Sequence, residues 1–460
     1  MRVLYLILQI MLVAAYAVVL AKVLRVSRGL NPLLGWIVGL AFFLLLPLTI
    51  VVLNGRFVLP PRFDVGQAWG NVDLTTTEFL LPYLIVWTSL IASCMVVYFF
   101  SPSPAQEERE LCAVSRCALE RTIWITMAIS VVDWMFMIHL VGGFDIFIAS
   151  HWYHRNEELV SKYGDSFVLL EHLSLVNQLI FTSASALYTS LGLKRRDAKW
   201  TFTSIILFCF LLEIVMSGNR IFFACYLLAF LTSCWIHGRR RILLGILALS
   251  PIIILIFSLW ATVRHDLTAI PDLLDSAVQE ESDNRTMRSV MNVTMDATEG
   301  MDTLLLLHIP NDFGHHIPYL YGISYSRAIT SPIPRFLYPH KPKIFTDFLA
   351  SVYVPGEETS LNATALGEMY ANFGPMTLLL FPLLSLSMVF LTVWATKKQT
   401  KHGLLLPLLF VLSVWAARST LEDSFVILLL AYSLIFVFRL EKGLSGPALT
   451  NRAAIVGLSA

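Results

Sequence analysis

Charge is scarce in this sequence. Only 14% of its 460 residues are Asp, Glu, Lys or Arg, against about 25% in soluble domains, while 57% are hydrophobic and the mean hydropathy is +0.70. That arithmetic excludes a water-soluble fold. A charge excess of one sign is missing too. The formal net charge is +1, so composition offers nothing to attract nucleic acid, and no nucleic-acid partner is expected. Cysteine is sparse: six residues lie scattered in apolar stretches and in one short polar segment at Cys112 and Cys117. They form neither a disulfide framework nor a metal-ligand spacing. The sequence also lacks a Gly-x-x-x-x-Gly-Lys-Ser/Thr loop, a Gly-x-Gly-x-x-Gly fingerprint, a His-Glu-x-x-His pattern, an Asp-x-Asp pair and a Gly-x-Ser-x-Gly elbow. ATP, dinucleotides, a metal and a serine nucleophile therefore have no support, and no cofactor is expected.

What is present is a series of long apolar runs. Eleven of them, near 3–24, 31–53, 78–100, 121–141, 167–191, 200–216, 219–237, 241–263, 375–395, 402–418 and 421–439, are of spanning length or close to it. The first lacks a small-residue cleavage site and reads as a retained helix. The expected fold is an all-α polytopic integral membrane protein of about eleven transmembrane helices, with one large extracytoplasmic loop between helices 8 and 9. The expected organisation is an N-terminal bundle at 1–263, the loop at 264–374, three helices at 375–440 and a cytoplasmic tail at 441–460. Lys and Arg of the short connections decide the orientation. Lys22, Arg25, Arg28, then Arg109, Arg116, Arg121, then Lys194 to Lys199, Arg239 to Arg241, Lys397 to Lys401 and the tail all fall on one side. The positive-inside rule puts that side in the cytoplasm and the N-terminus outside.

The loop divides by composition. Residues 265–313 carry ten acids, a solvated face, whereas 314–375 hold ten aromatics between Tyr319 and Phe373 and read as a contact surface. Met287, Val290, Met291, Met295, Met301, Leu304 and Leu305 recur at helical steps and predict an amphipathic helix, lying either on the membrane or on its own bundle.

Ionisable groups inside spanning runs are costly and point to function by default. Asp133 and His139 fall from the middle to the outer end of the fourth run, Arg220 just after a turn, and Glu171, His172, Glu213, Arg264, Arg418, Glu422 and Asp423 at or near the outer ends of theirs. Taken singly, each is equally well a snorkelling or helix-pairing residue. Together they outline an outer-leaflet cavity beneath the aromatic loop. Arginine holds a diphosphate through a planar fork of donors, and aromatic faces stack on sugar rings. A glycosyl donor already activated as a diphosphate needs no carboxylate pair to protonate its leaving group. Cationic clamping would then be the main catalytic term.

Four stretches carry a family resemblance. They are SGNRIFF from Ser217, PIPRFLYPHKPK from Pro332, NATALGEMYANFG from Asn362, and ARSTLEDSFV from Ala417. With the span pattern, they make the chain resemble the Wzy-type O-antigen and exopolysaccharide polymerases, the group that includes the enterobacterial common antigen polymerase. The resemblance implies a metal-independent glycosyltransferase of the bacterial inner membrane, working at the periplasmic face. It would move a growing glycan onto an incoming undecaprenyl-diphosphate-linked repeat unit, alongside a flippase and a chain-length regulator, among membrane lipids. On this view Arg220, Arg335 and Arg418 hold the diphosphate, with Arg264 as a fourth. Tyr338 and Tyr370 contact glycan, and the acceptor's proton goes to one of Glu368, His315, His316 and Asp423.

Plainer readings stand beside these. Glu368 could cap a helix through the dipole, His315 and His316 could be ordinary loop histidines, and Arg418 could pair with Glu422 one turn on. Two other activities are weighed: a ligase moving polymer onto lipid A core, which shares the topology and arginines, and a flippase or transporter of lipid-linked oligosaccharide, which would show paired halves with interrupted helices and a midplane site and is disfavoured by the unequal halves.

Overall fold

The computed structural model describes residues 1–27, 29–58, 71–101, 116–149, 159, 162, 165–197, 199–217, 220–263, 295, 300–330, 337–338, 340–355, 360–398, 404–421 and 424. Helix dominates. The bundle begins with α1 (Arg2–Val26), α2 (Pro32–Asn54), α3 (Leu80–Phe100), α4 (Arg116–Val141) and α5 (Asp165–Arg195). It continues with α6 (Trp200–Ser217), α7 (Ile221–Ile236) and α8 (Arg240–Val263). Shorter helices follow: α9 (Met301–Asp312), α10 (Ile323–Thr330), α11 (Phe345–Tyr353) and α12 (Thr364–Phe373). Then come α13 (Thr377–Lys398) and α14 (Leu405–Arg418). Among the described residues five helices are long and apolar enough to cross a membrane, at Arg2–Val26, Pro32–Asn54, Leu80–Phe100, Arg116–Val141 and Thr364–Lys397. The first ten apolar runs all fall on helices. The eleventh run and the tail lie, but for Leu421 and Ser424, outside the described residues.

One element departs from the all-α expectation. Strands β1 (Arg56–Val58) and β2 (Asn71–Asp73) pair antiparallel, Phe57 opposite Val72. Their side chains alternate, so Phe57 and Val72 are buried together while Arg56 and Asn71 stay exposed. The unpaired backbone leaving α2 is thereby satisfied locally.

The centre of the bundle is α14 against α2. Residues 405–417 are all buried. A side chain at Gly35 would collide with the Phe410 carbonyl, and one at Gly39 would come within 2.8 Å of the Ala417 Cβ. Two glycines thus let the backbones touch, as small residues do between helices in lipid. On its other side α2 meets α13: Trp36 Nε1 donates to Ser385 Oγ at 3.1 Å, and the Leu33 N–H to Thr392 Oγ1 at 2.9 Å. A π turn at Ala41–Leu45 precedes Pro47, which has no N–H to give to the ladder. The periphery is apolar and open, with Val3 on α1, Val132 and Met135 on α4 and Phe390 on α13 each more than three-fifths exposed. Such a surface suits lipid rather than water.

The amphipathic segment of the loop settles on its own bundle. In α9, Leu304, Leu305, Leu306, Leu307 and Ile309 are buried, as is Met295 before it. Met287, Val290 and Met291 lie outside the described residues. Helix α12 breaks from α13 at Gly374 (φ +56°), where any Cβ would stand 2.5 Å from the Tyr319 ring.

Candidate functional site

Helix lengths place the site. Helix α14 has 14 residues, a rise of about 21 Å, short of the ~30 Å hydrocarbon core. It runs parallel to α2, with Gly35 facing Phe410 and Gly39 facing Val414 and Ala417. Arg418 is therefore level with the middle of α2, about 20 Å of helical rise below Asn54. Helix α7 packs antiparallel on α14, the Phe222 ring 5.4 Å from Trp415 and Cys225 Sγ 3.9 Å from the Val411 carbonyl. Two residues further back, Arg220 comes level with Ala417. Arg220 is buried and Arg418 half-buried. The sequence placed Arg220 just after a turn and Arg418 at the close of its helix, both at the outer boundary; Arg220 stands at the start of α7 and Arg418 at the end of the short α14, both within the bundle.

A web of polar side chains closes over them. Asn362 Nδ2 donates to Asp302 Oδ2 at 3.0 Å and to the Arg418 carbonyl at 2.9 Å, joining the starts of α9 and α12 to the end of α14. Glu368 is fully buried. Its Oε1 accepts from the Ser324 hydroxyl at 2.7 Å and its Oε2 from the Leu421 N–H at 2.8 Å. Asn372 Nδ2 donates to Ser324 Oγ and to the Glu368 carbonyl, both at 2.8 Å, while its Oδ1 accepts from the Gly322 N–H at 3.0 Å. Asn362, Glu368 and Asn372 of NATALGEMYANFG thus each tie down a neighbouring segment, and two of their bonds run to 418–421. Glu368 accepts at the turn beginning at Leu421, whereas the plainer reading placed it at the start of the helix entering the membrane.

The chain breaks at Ser419, which is extended (φ −91°, ψ −177°). The starts of α7, α9 and α12 and the turn at Leu421 all come near this level, and helix N-termini carry partial positive charge. Two hydroxyls here, Thr303 Oγ1 and Thr364 Oγ1, are buried with no hydrogen-bond partner. Thr364 also has φ +63°, an unfavourable conformation for a β-branched residue and a form of stored strain. Its N–H is held by Asn362 Oδ1 at 3.2 Å. Beside Glu368, burial and the nearby carboxylate push the Tyr325 hydroxyl well above the ordinary tyrosine range. That hydroxyl too is buried without a partner.

Other expected site residues fall elsewhere. His315 and His316 are exposed on the turn after α9, their N–H groups bonded to the Asp312 carbonyl. They follow the end of α9 opposite Asp302, roughly 18 Å of helical rise away. Tyr338 is 37% exposed and accessible for stacking. Tyr370 is 5% exposed and packs in a cluster with Leu305, Ile309 and Tyr319. The expectation that it offers a face to sugar is corrected, because the core already covers the ring. Arg264, Arg335 and Asp423 lie outside the described residues, as does Glu422. Away from the arginines, Asp133 accepts from Ser174 at 2.7 Å and Glu213 from Gln178. Among the described residues no group of three or more His, Cys, Asp and Glu could hold a metal ion.

Sequence reasoning missed Asp302, Asn362, Asn372, Ser324 and Thr364. Three of these fall inside a stretch it had quoted, but their partners are distant in the chain. Comparison with known proteins yields no match: neither a family model, nor a curated protein, nor a solved structure is similar to this chain.

Proposed function

We propose that this protein is a membrane glycosyltransferase that polymerises polyprenyl-diphosphate-linked oligosaccharide repeat units, the undecaprenyl-linked form in a bacterial inner membrane. The observation that carries this reading is the meeting of Arg220, Arg418 and several helix starts at mid-height of the bundle. Two guanidiniums and the positive ends of helices suit a diphosphate partly withdrawn from water. The acceptor hydroxyl of the incoming unit attacks the anomeric carbon of the growing chain. The bond from that carbon to the diphosphate oxygen breaks, and the polyprenyl diphosphate leaves with its charge on the arginines. Glu368, with both oxygens already accepting hydrogen bonds, holds the Leu421 turn beside Arg418 and is assigned a positioning role. The acceptor's proton then goes to another group, and Asp423, two residues beyond Leu421 in the sequence, is our candidate. Tyr338, at the loop surface, is the stacking residue we assign to glycan.

The test is reconstitution. Purified protein in liposomes with a chelator is given the diphosphate-lipid repeat unit, and the glycans are resolved by gel. A ladder is expected, and Arg220→Ala and Arg418→Ala should each cut its yield ~100-fold or more in normally folded protein. Full-strength ladders from both variants would overturn the diphosphate assignment. Transfer only after adding lipid A core would make the protein a ligase. One observation favours the third reading: a chain break at mid-bundle, at Ser419, is the kind of feature transporters use. Movement of lipid between leaflets with no new glycosidic bond would establish it and remove the enzyme reading.

A further inference from the structure

A second polar site lies away from the arginines, between α4, α5 and α6. It is a cavity with room for about one water-sized occupant, and its lining includes Ser130, Gln178, Thr182 and Glu213. Gln178 and Glu213 are only 5% and 6% exposed. The Gln178 amide nitrogen donates to Glu213 Oε1. That bond fixes the amide, because turning it over would set its oxygen against the carboxylate. The consequence is an orphan: Gln178 Oε1 is buried and has no hydrogen-bond partner. A carbonyl oxygen can only accept, so what satisfies it must be a donor or a cation. Two neighbouring hydroxyls keep a free lone pair. Ser130 Oγ accepts from Asn177 Nδ2 at 2.9 Å, and Thr182 Oγ1 donates to the Gln178 carbonyl at 2.7 Å.

The cavity therefore gathers four oxygens from three helices with a single carboxylate among them. We propose that it is a binding site for a small monovalent cation, sodium, held by Gln178 Oε1, Glu213, Ser130 Oγ and Thr182 Oγ1. Hard cations take oxygen ligands, and divalent ions are held through more anionic charge than one carboxylate supplies. The room for one water-sized occupant suits sodium better than a larger ion. Bound there, sodium ties α4 and α5 to α6, whose next turn leads to Arg220. Phe222, two residues beyond Arg220, lines the same cavity. Sodium binding in this cavity does not depend on the proposed polymerase activity.

Its test reads binding and stability and needs no glycan. Wild-type protein in detergent is melted in NaCl, KCl and choline chloride at equal ionic strength, and sodium-22 binding is measured at equilibrium. The expected result is a melting temperature ~2–4 °C higher in saturating sodium than in choline, with about one ion bound per chain. Gln178→Met should abolish both effects. Ser130→Ala, a smaller change that keeps the fold should Gln178→Met fail to fold, should weaken sodium binding at least ~10-fold. Equal melting in all three salts, as expected if only water fills the cavity, would overturn the proposal. So would a sodium effect that survives Ser130→Ala unchanged.

Discussion

Helices α14 and α4 are both strongly apolar, yet they live in opposite surroundings. Every residue of α14 from 405 to 417 is buried, whereas α4 buries only Leu119, Thr122, Ile123, Thr126 and Ser130 along its 26 residues. The buried stripe of α4 is its hydroxyl face, with steps of four residues from Thr122 to Ser130, and its Val132 and Met135 point outward. Helix α14 is enclosed because Gly35 and Gly39 of α2 let another backbone lie against it. In a bilayer, apolar residues gain as much from lipid as from protein, so small and polar groups mark the packed face.

Four changes would sharpen or break this contrast. The largest effect is expected at the α2–α14 contact. Gly35→Leu forces a side chain into the Phe410 backbone and should cost more than about 3 kcal/mol, the upper end of overpacking. Folded yield in detergent, read by size-exclusion chromatography, should collapse. Gly245→Leu on α8, where a Cβ meets nothing within 4 Å, should elute as wild type; equal behaviour of the two would refute close packing at Gly35.

Next comes Glu368. Removing the carboxylate in Glu368→Ala strips the Leu421 N–H and the Ser324 hydroxyl of their acceptor, at a cost of ~2–3 kcal/mol. Thermal melting should show a clear drop, with Glu368→Gln losing less. Unchanged melting of the alanine variant would show that the web around 418–421 holds nothing in place.

A pH effect is expected at α9. His308 stacks edge-on to Phe79 at 5.0 Å, its Nε2 has no partner, and burial holds its pKa below the ordinary 6.5. The unfolded chain then takes up the proton first. The stability held by neutral His308 is complete above pH 6.5 and is lost as pH falls below it. Melting temperatures from pH 8 to pH 5 should fall less steeply in His308→Phe than in wild type. Parallel curves would remove His308 as a source of acid sensitivity. The smallest change is expected from Val132→Thr on the open face of α4, within about 0.5 kcal/mol of wild type. A large loss there would mean that protein rather than lipid covers the face.

Much of this was legible in the residues. The apolar runs located the helices, because a chain in lipid must satisfy its backbone within each segment. Met301, Leu304 and Leu305 announced α9, although their spacing could not say whether membrane or bundle lay beneath. The candidate site was legible only in part. Arg220 and Arg418 were singled out as cations of the outer boundary, and their burial within the bundle was not readable. Depth depends on where α14 stops relative to Gly39, a contact between positions far apart in the chain. Tyr370 looked like any exposed loop aromatic until the cluster around Tyr319 covered it. Asn362 and Thr364 looked unremarkable, since neither the bond to the Arg418 carbonyl nor a positive φ leaves a trace in residue type. The β1–β2 ribbon escaped notice because three-residue strands are too short for alternation to register.

The sequence by itself determined the solvent and the secondary structure, because apolar runs of spanning length have few alternatives to helix in a bilayer. It also determined which few charged groups must be reckoned with inside the bundle, since each is expensive there. Only the tertiary structure decided which apolar helix faces protein and which faces lipid, and how deep each charge lies. Both are set by pairwise contacts such as Gly39 with Ala417 and Asn362 with Arg418. No one-dimensional pattern encodes such contacts when the two sides of a helix are equally apolar.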